Sequence, residues 1–274
     1  MAVETTPERD TGVFSPGRAK ISARTLRTDD WRRSPLWIGL ILAFFVLYST
    51  VRIFMNKWYY AEPENYLTPV YSPCVSASCP EGAADFGTWL PSFPAAIPLS
   101  ILIFPILAGF RVTCYYYRKI GYRSLWLSPQ ACAVAEPHRR YTGETRFPLI
   151  VMNYHRYFFV LASILLLVNL YDAVKAFFPT TGGFGFGLGT VIMVVNVVAL
   201  TMYSLTCHAC RHLIGGRLKH FSAHPLRYRM WTFLTRLNPR HGTFAMTSLF
   251  TVIFTDFYIM AVSAGWISDL RFVN

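Results

Sequence analysis

The chain has 274 residues, of which 53% are hydrophobic and 16% aromatic, while only 15% are charged. That is too little charge to coat a globule in water, so the apolar surplus must face lipid. A formal net charge of +12 would suit nucleic acid in a soluble chain, but the placement of the basic residues excludes that reading, as the topology shows.

The first 30 residues are polar with scattered arginines and lack the apolar core of a cleavable signal peptide, so the amino terminus is expected in the cytoplasm. Crossing the hydrocarbon core takes about 20 apolar residues. Five runs meet that need, at about 35–55, 90–117, 147–171, 185–212 and 242–267. The first is free of charge from Pro35 to Val51, and the second continues through Arg111 towards Tyr117. His155 and Arg156 interrupt the third, a glycine-rich GGFGFGLG opens the fourth, and the fifth carries the single charge Asp256. The expected fold is all-α: a cytoplasmic segment (1–34), then an integral membrane bundle of five transmembrane helices (35–270) with its carboxyl terminus outside.

The basic residues orient the bundle. The amino-terminal tail carries seven Lys and Arg, the loop from Arg118 to Arg146 six, and that from Arg211 to Arg240 seven. The opposite face holds only Arg52, Lys57, Lys175 and Arg271. Twenty against four assigns the first face to the cytoplasm, beside anionic lipid of the cell inner (plasma) membrane. Cys74 and Cys79, in SPCVSASCPEG of the first external loop, then lie on the oxidising side with Pro and Gly around them. They are expected to form a disulfide that staples the loop.

The remaining cysteines and histidines gather at the other end. Cys114 closes span two, His155 opens span three about two turns inside the membrane, and TCHACRHLIGG closes span four with Cys207, His208, Cys210 and His212. The outer halves of the spans contain neither residue. A lone intramembrane cysteine is ordinarily a packing residue, and a histidine at a helix end ordinarily meets a carbonyl or a lipid head group. His138, His220, His224 and His241, in basic loops, are read that way. The joint case differs, because ionisable groups within the membrane are costly and are retained for function. Cys207 and Cys210, three apart, share one helix face, and His208 and His212 share its neighbour. One helix does not wrap a metal with both pairs, so Cys114 and His155 are expected to supply the missing side. Mixed Cys and His ligands suit zinc or an iron–sulfur cluster, and two of each is the Rieske arrangement. The rival is one haem b held by His155 and either His208 or His212. No HExxH accompanies the ligands, so hydrolytic zinc lacks support.

Asp256, near the middle of the bilayer, and Arg111 are expected to form an ion pair or a proton relay. Aromatic residues crowd the cytoplasmic rim, and Tyr115, Tyr154, Arg156 and Trp231 are the candidates for a quinone slot. The spans show no internal repeat, which argues against a transporter, the reading from another class alongside a passive scaffold.

At these residues the sequence resembles a known family. RVTCYYYRKIGYRSLW, SPQACAVAEPH, YTGETRFPLI, NYHRYFF, CHACRHLIGGRLKHF and TDFYIMAVSAGWISDLR are similar to the membrane-anchor subunit of actinobacterial succinate dehydrogenase, respiratory complex II. The resemblance runs from about Phe14 to the carboxyl end. It implies a five-helix anchor that docks a flavoprotein subunit and an iron–sulfur subunit on the cytoplasmic side. The complex would oxidise succinate and reduce menaquinone, with no dehydrogenase activity from this chain alone. Better-known five-helix anchors hold two haems across the membrane, and the missing outer histidines depart from that pattern. The branch most resembled holds a Rieske-like [2Fe–2S] cluster on two Cys and two His, which implies four ligands among Cys114, His155, Cys207, His208, Cys210 and His212. Cys132 is a weaker candidate, read as helping to dock the iron–sulfur partner.

Overall fold

The computed structural model describes residues 29–92, 98–120, 144–147 and 149–273. Cys132, His138 and most of the expected docking loop between Ala131 and Phe147 lie outside the described residues. Among the described residues, four helices are long and apolar enough to cross a membrane. The first is α1 (Arg33–Met55), with Pro35 in its opening turn, where a missing backbone N–H costs nothing. Its outward face exposes Leu40, Phe44, Leu47 and Val51, as a lipid-facing surface requires.

The second expected span is shorter than its apolar run. Helix α2 (Ser100–Val112) has 13 residues and contains Pro105; at about 1.5 Å per residue it rises roughly 20 Å, less than the hydrocarbon thickness of about 30 Å. The chain bends at Thr113–Cys114 and resumes as α3 (Tyr115–Ile120). A 3-10 turn (Leu149–Tyr154) then leads into α4 (His155–Lys175). Helix α5 (Leu188–Leu205) follows, but the fourth expected span does not continue unbroken to residue 212. Cys207 is extended (φ −65°, ψ 140°) and caps a separate short helix, α6 (His208–Gly215). Helix α7 (Pro225–Leu237) packs on α6, with Trp231 so close to Gly215 that a Cβ there would lie 2.3 Å from the indole. Helix α8 (His241–Ser263) returns through the bundle.

The fold is not wholly helical, because short antiparallel pairs organise the end opposite the cysteines and histidines. Strand β1 (Tyr60–Ala61) pairs with β2 (Tyr66–Leu67), and β3 (Phe186–Gly187) pairs with β4 (Arg271–Val273) near the carboxyl terminus. Asp269 knits these pieces together, accepting from the Gly189 N–H and from the hydroxyls of Tyr66 and Tyr258. The Cys74–Cys79 disulfide forms at this end, as its sequence context led us to expect.

A buried ion pair fastens the same end. Arg52 Nε donates to Asp256 Oδ2 at 2.7 Å, and the Tyr48 hydroxyl donates to the same oxygen at 2.6 Å. Both charged side chains are almost wholly buried. The expected Arg111–Asp256 pair is therefore not formed. Depth alone suggested it, but Arg52, in the last turn of α1, turns inward and reaches the carboxylate first.

Candidate functional site

At the opposite end, two helix ends and two helix starts meet. The thiol of Cys114, just past α2, lies 3.1 Å from Nε2 of His241, the first residue of α8. The thiol of Cys207, just past α5, lies 3.1 Å from Nε2 of His155, the first residue of α4. Each histidine is held from behind by the threonine before the other cysteine. Thr113 Oγ1 is 3.0 Å from His155 Nδ1, and Thr206 Oγ1 is 3.0 Å from His241 Nδ1.

The hydrogen-bond inventory fixes both tautomers. A threonine hydroxyl has one proton, and that of Thr113 is given to the Gly109 carbonyl at 2.6 Å, while that of Thr206 goes to the Met202 carbonyl at 2.7 Å. Each hydroxyl can then only accept from its histidine, so Nδ1 carries the proton in both rings. Nε2 is left with its lone pair directed at a cysteine sulfur. A second partner that orients the imidazole in this way is how proteins present histidine to a metal.

Cys207 caps α6, its sulfur accepting from the Ala209 N–H at 3.4 Å, and Cys114 immediately precedes α3. Phe110 stacks on His155 with ring centroids 5.1 Å apart, and Tyr203 stacks on His241 at the same separation. Phe110 and Tyr203 are themselves 5.1 Å apart, so four rings form a continuous row. Both cysteines are 1% exposed. Gly109 permits the close approach of α2 to α4, since a Cβ there would sit 2.5 Å from Phe158.

The site is thus a local repeat. FRVTC (110–114) and YSLTC (203–207) each place an aromatic ring, a threonine and a cysteine at a helix end, and each is completed by a histidine opening another helix. Among the described residues no three Cys, His, Asp or Glu side chains converge on a single point, and the four donors meet as two Cys–His pairs.

A sequence profile describing the actinobacterial succinate dehydrogenase subunit SdhC matches residues 33–265. The chain belongs to that family. A chain of the Mycobacterium smegmatis Sdh1 complex in the apo form is similar in structure, with a TM-score of 0.86 and 57% identity. The match covers 96% of this chain and 100% of that one. No curated protein matches. This SdhC-family chain is accordingly the membrane-anchor subunit of an actinobacterial succinate dehydrogenase.

Three of the six expected ligands, Cys114, His155 and Cys207, come together. His208 and His212 are exposed on α6, and Cys210, on the same helix, is buried in the apolar cluster that also holds Cys114 and Cys207. The break at Cys207 is the reason: it ends the continuous helix face on which the crowded CHACRH run was read. The fourth member is His241, set aside by its basic loop context. The signal that finds it is the repeated aromatic-x-x-Thr-Cys pattern, which asks for two histidines of like position.

Arg111 takes up a different post from the one expected. It is 4% exposed and donates to the Ala245 carbonyl, the Ser248 hydroxyl and the Tyr117 hydroxyl. Its guanidinium lies over the rings of Phe45 and Tyr203, 5.3 and 5.0 Å from their centroids. A small, partly open pocket of about 50 Å³ adjoins it, with Phe45, Leu107, Phe110, Asn169 and Tyr203 among its walls. None of the four expected quinone-slot residues lines that cavity. Tyr115 and Tyr154 are exposed at the rim, Arg156 lies over the ring of Tyr157, and Trp231 packs between Phe221, Tyr228 and the Arg211 guanidinium.

Proposed function

We propose that this anchor also transfers electrons. In this reading it spans the plasma membrane five times with its Cys–His end towards the cytoplasm, docks a flavoprotein and an iron–sulfur subunit there, and serves reduction of a quinone, menaquinone, by succinate. Cys114, His155, Cys207 and His241 are the residues that would hold a Rieske-type [2Fe–2S] cluster. Membership of the family and likeness to a chain of the M. smegmatis Sdh1 complex support the partners. The excess of Lys and Arg in the tail and the two loops at that end supports the orientation.

The single observation that carries the cofactor is the paired donor set: two buried thiols and two imidazoles whose Nε2 lone pairs face them. Both kinds of donor suit iron–sulfur chemistry in the numbers that a Rieske cluster takes. A second mark of fit is the Tyr203 hydroxyl, which is buried and has no hydrogen-bond partner within normal geometry among the described groups. A buried hydroxyl left this way costs about 1–3 kcal/mol, which an acceptor at the site would remove. A haem on the two histidines would leave both thiols and the symmetry of the pairs without use.

When bound, such a cluster supplies one-electron transfer at a potential raised by its imidazole ligands above that of an all-thiolate cluster. The chain's residues do the rest. Thr113 and Thr206 hold the ring tautomers, Phe110 and Tyr203 hold the ring planes, and the apolar packing around the thiols excludes water. The test is analysis of the purified complex for iron and acid-labile sulfide, with EPR of the wild type, His155→Ala and His241→Ala. The reading predicts a Rieske-like signal beyond those of the soluble subunits, lost in both variants. A pyridine haemochrome, or no iron and sulfide beyond the partners' own, would falsify it.

A further inference from the structure

Arg111 is a buried cation whose described partners are all neutral: a carbonyl, two hydroxyls and two aromatic rings. Elsewhere in the bundle a buried arginine has its carboxylate, as Arg52 has Asp256. A charge taken out of water without a counter-charge is strongly disfavoured, so Arg111 calls for negative charge close by. Cys114 follows it three residues on, and the Arg111 guanidinium lies over the Tyr203 ring, 5.0 Å from the centroid. Tyr203 in turn stacks on His241 with ring centroids 5.1 Å apart, and its hydroxyl is buried with no hydrogen-bond partner within normal geometry among the described groups.

We infer that Arg111 and Tyr203 are positioning residues that raise the reduction potential of the group held by Cys114, His155, Cys207 and His241. The inference rests on the cofactor reading above. Each electron delivered by the iron–sulfur partner adds one negative charge beside Arg111, and each electron passed to the quinone removes it. A fixed positive charge and a hydroxyl donor both favour the reduced form, and the burial of Arg111 and Tyr203 weakens the screening of both. Stacking ties the two together, because the guanidinium sits over the ring that also packs on His241. Arg111 and Tyr203 both line the adjoining pocket.

An EPR-monitored redox titration of the intact complex tests this with Arg111→Gln, Arg111→Lys and Tyr203→Phe. The expected result is a retained signal whose midpoint falls in Arg111→Gln by at least tenfold in the one-electron equilibrium, about 59 mV. Tyr203→Phe, which keeps the ring on His241 and removes only the oxygen, lowers it by a smaller amount, and Arg111→Lys stays with the wild type. Unchanged midpoints in Arg111→Gln and Tyr203→Phe overturn the inference while the cluster reading stands. So does a shift in Arg111→Lys as large as in Arg111→Gln, which would make the effect one of packing. If Arg111→Gln fails to assemble, Tyr203→Phe decides alone. A wild-type complex with no intramembrane iron–sulfur signal removes the cluster reading and this inference together.

Discussion

Nε2 of His241 lies 3.1 Å from the sulfur of Cys114, although 127 positions separate them in the chain. That contact makes a pointed forecast about histidines that look alike in sequence. His155→Ala and His241→Ala should each abolish the intramembrane EPR signal and reduce succinate:quinone activity to background. His208→Ala and His212→Ala, on the exposed face of α6, should leave both within twofold of wild type. Loss of signal in His208→Ala or His212→Ala with retention in His241→Ala would return the ligand set to the crowded CHACRH run.

The threonines supply a second forecast. Thr113→Val and Thr206→Val keep side-chain shape but remove the acceptor that holds Nδ1–H of His155 and of His241. Removal of such an outer partner typically weakens metal binding 10- to 100-fold, roughly. Iron and labile sulfide content should fall in both variants to a similar degree, because the two halves of the site are built alike. Serine at either position restores the hydroxyl and should restore content. Full iron occupancy in both valine variants would show that the hydroxyls do not orient the rings.

Much of this was legible in the sequence, and the failures share a cause. Charge-free runs found the helices, and the compartment of Cys74 and Cys79 found their disulfide. The level at which Cys114, His155 and Cys207 meet could be read because depth in a membrane follows from residue counting. Direction around a helix axis could not be carried across a break. Cys207 turns the chain out of its helix, so the three-and-four spacing beyond it no longer describes one face. Arg52 was counted with an external rim, yet its side chain turns inward to Asp256. His241 follows Pro239 and Arg240 in a basic stretch, a context that reads as a head-group contact until α8 is seen to begin on it.

The Arg52–Asp256 pair yields a stability forecast. Removing one partner leaves the other charged and buried, at a cost of about 3–5 kcal/mol. Arg52→Met or Asp256→Leu alone should therefore lower the thermal midpoint of the detergent-solubilised complex sharply. The double variant should recover most of the loss, since two apolar side chains need no partner, and among the described groups the Tyr48 hydroxyl, the Met55 sulfur and the carbonyls of Lys57 and Trp58 lose theirs. Equal damage from single and double variants would show that the pair acts through packing and not charge. The EPR signal, at the far end of the bundle, should survive in each.

The Cys74–Cys79 bridge gives a forecast that reports on orientation as well as stability. The two cysteines are five apart, and closing so short a loop is worth about 2 kcal/mol by the chain-entropy estimate. Cys74→Ser/Cys79→Ser should lower the thermal midpoint modestly and leave quinone reduction intact, because the bridge lies at the end opposite Cys114 and Cys207. In spheroplasts of a strain producing this protein, a membrane-impermeant maleimide should label the chain only after a mild impermeant reductant has opened the bridge, and labelling should vanish in the double serine variant. The buried thiols Cys114, Cys207 and Cys210 stay silent throughout. Labelling that appears only in inside-out vesicles would reverse the orientation and put the Cys–His end outside the cell, where no cytoplasmic iron–sulfur partner can reach it.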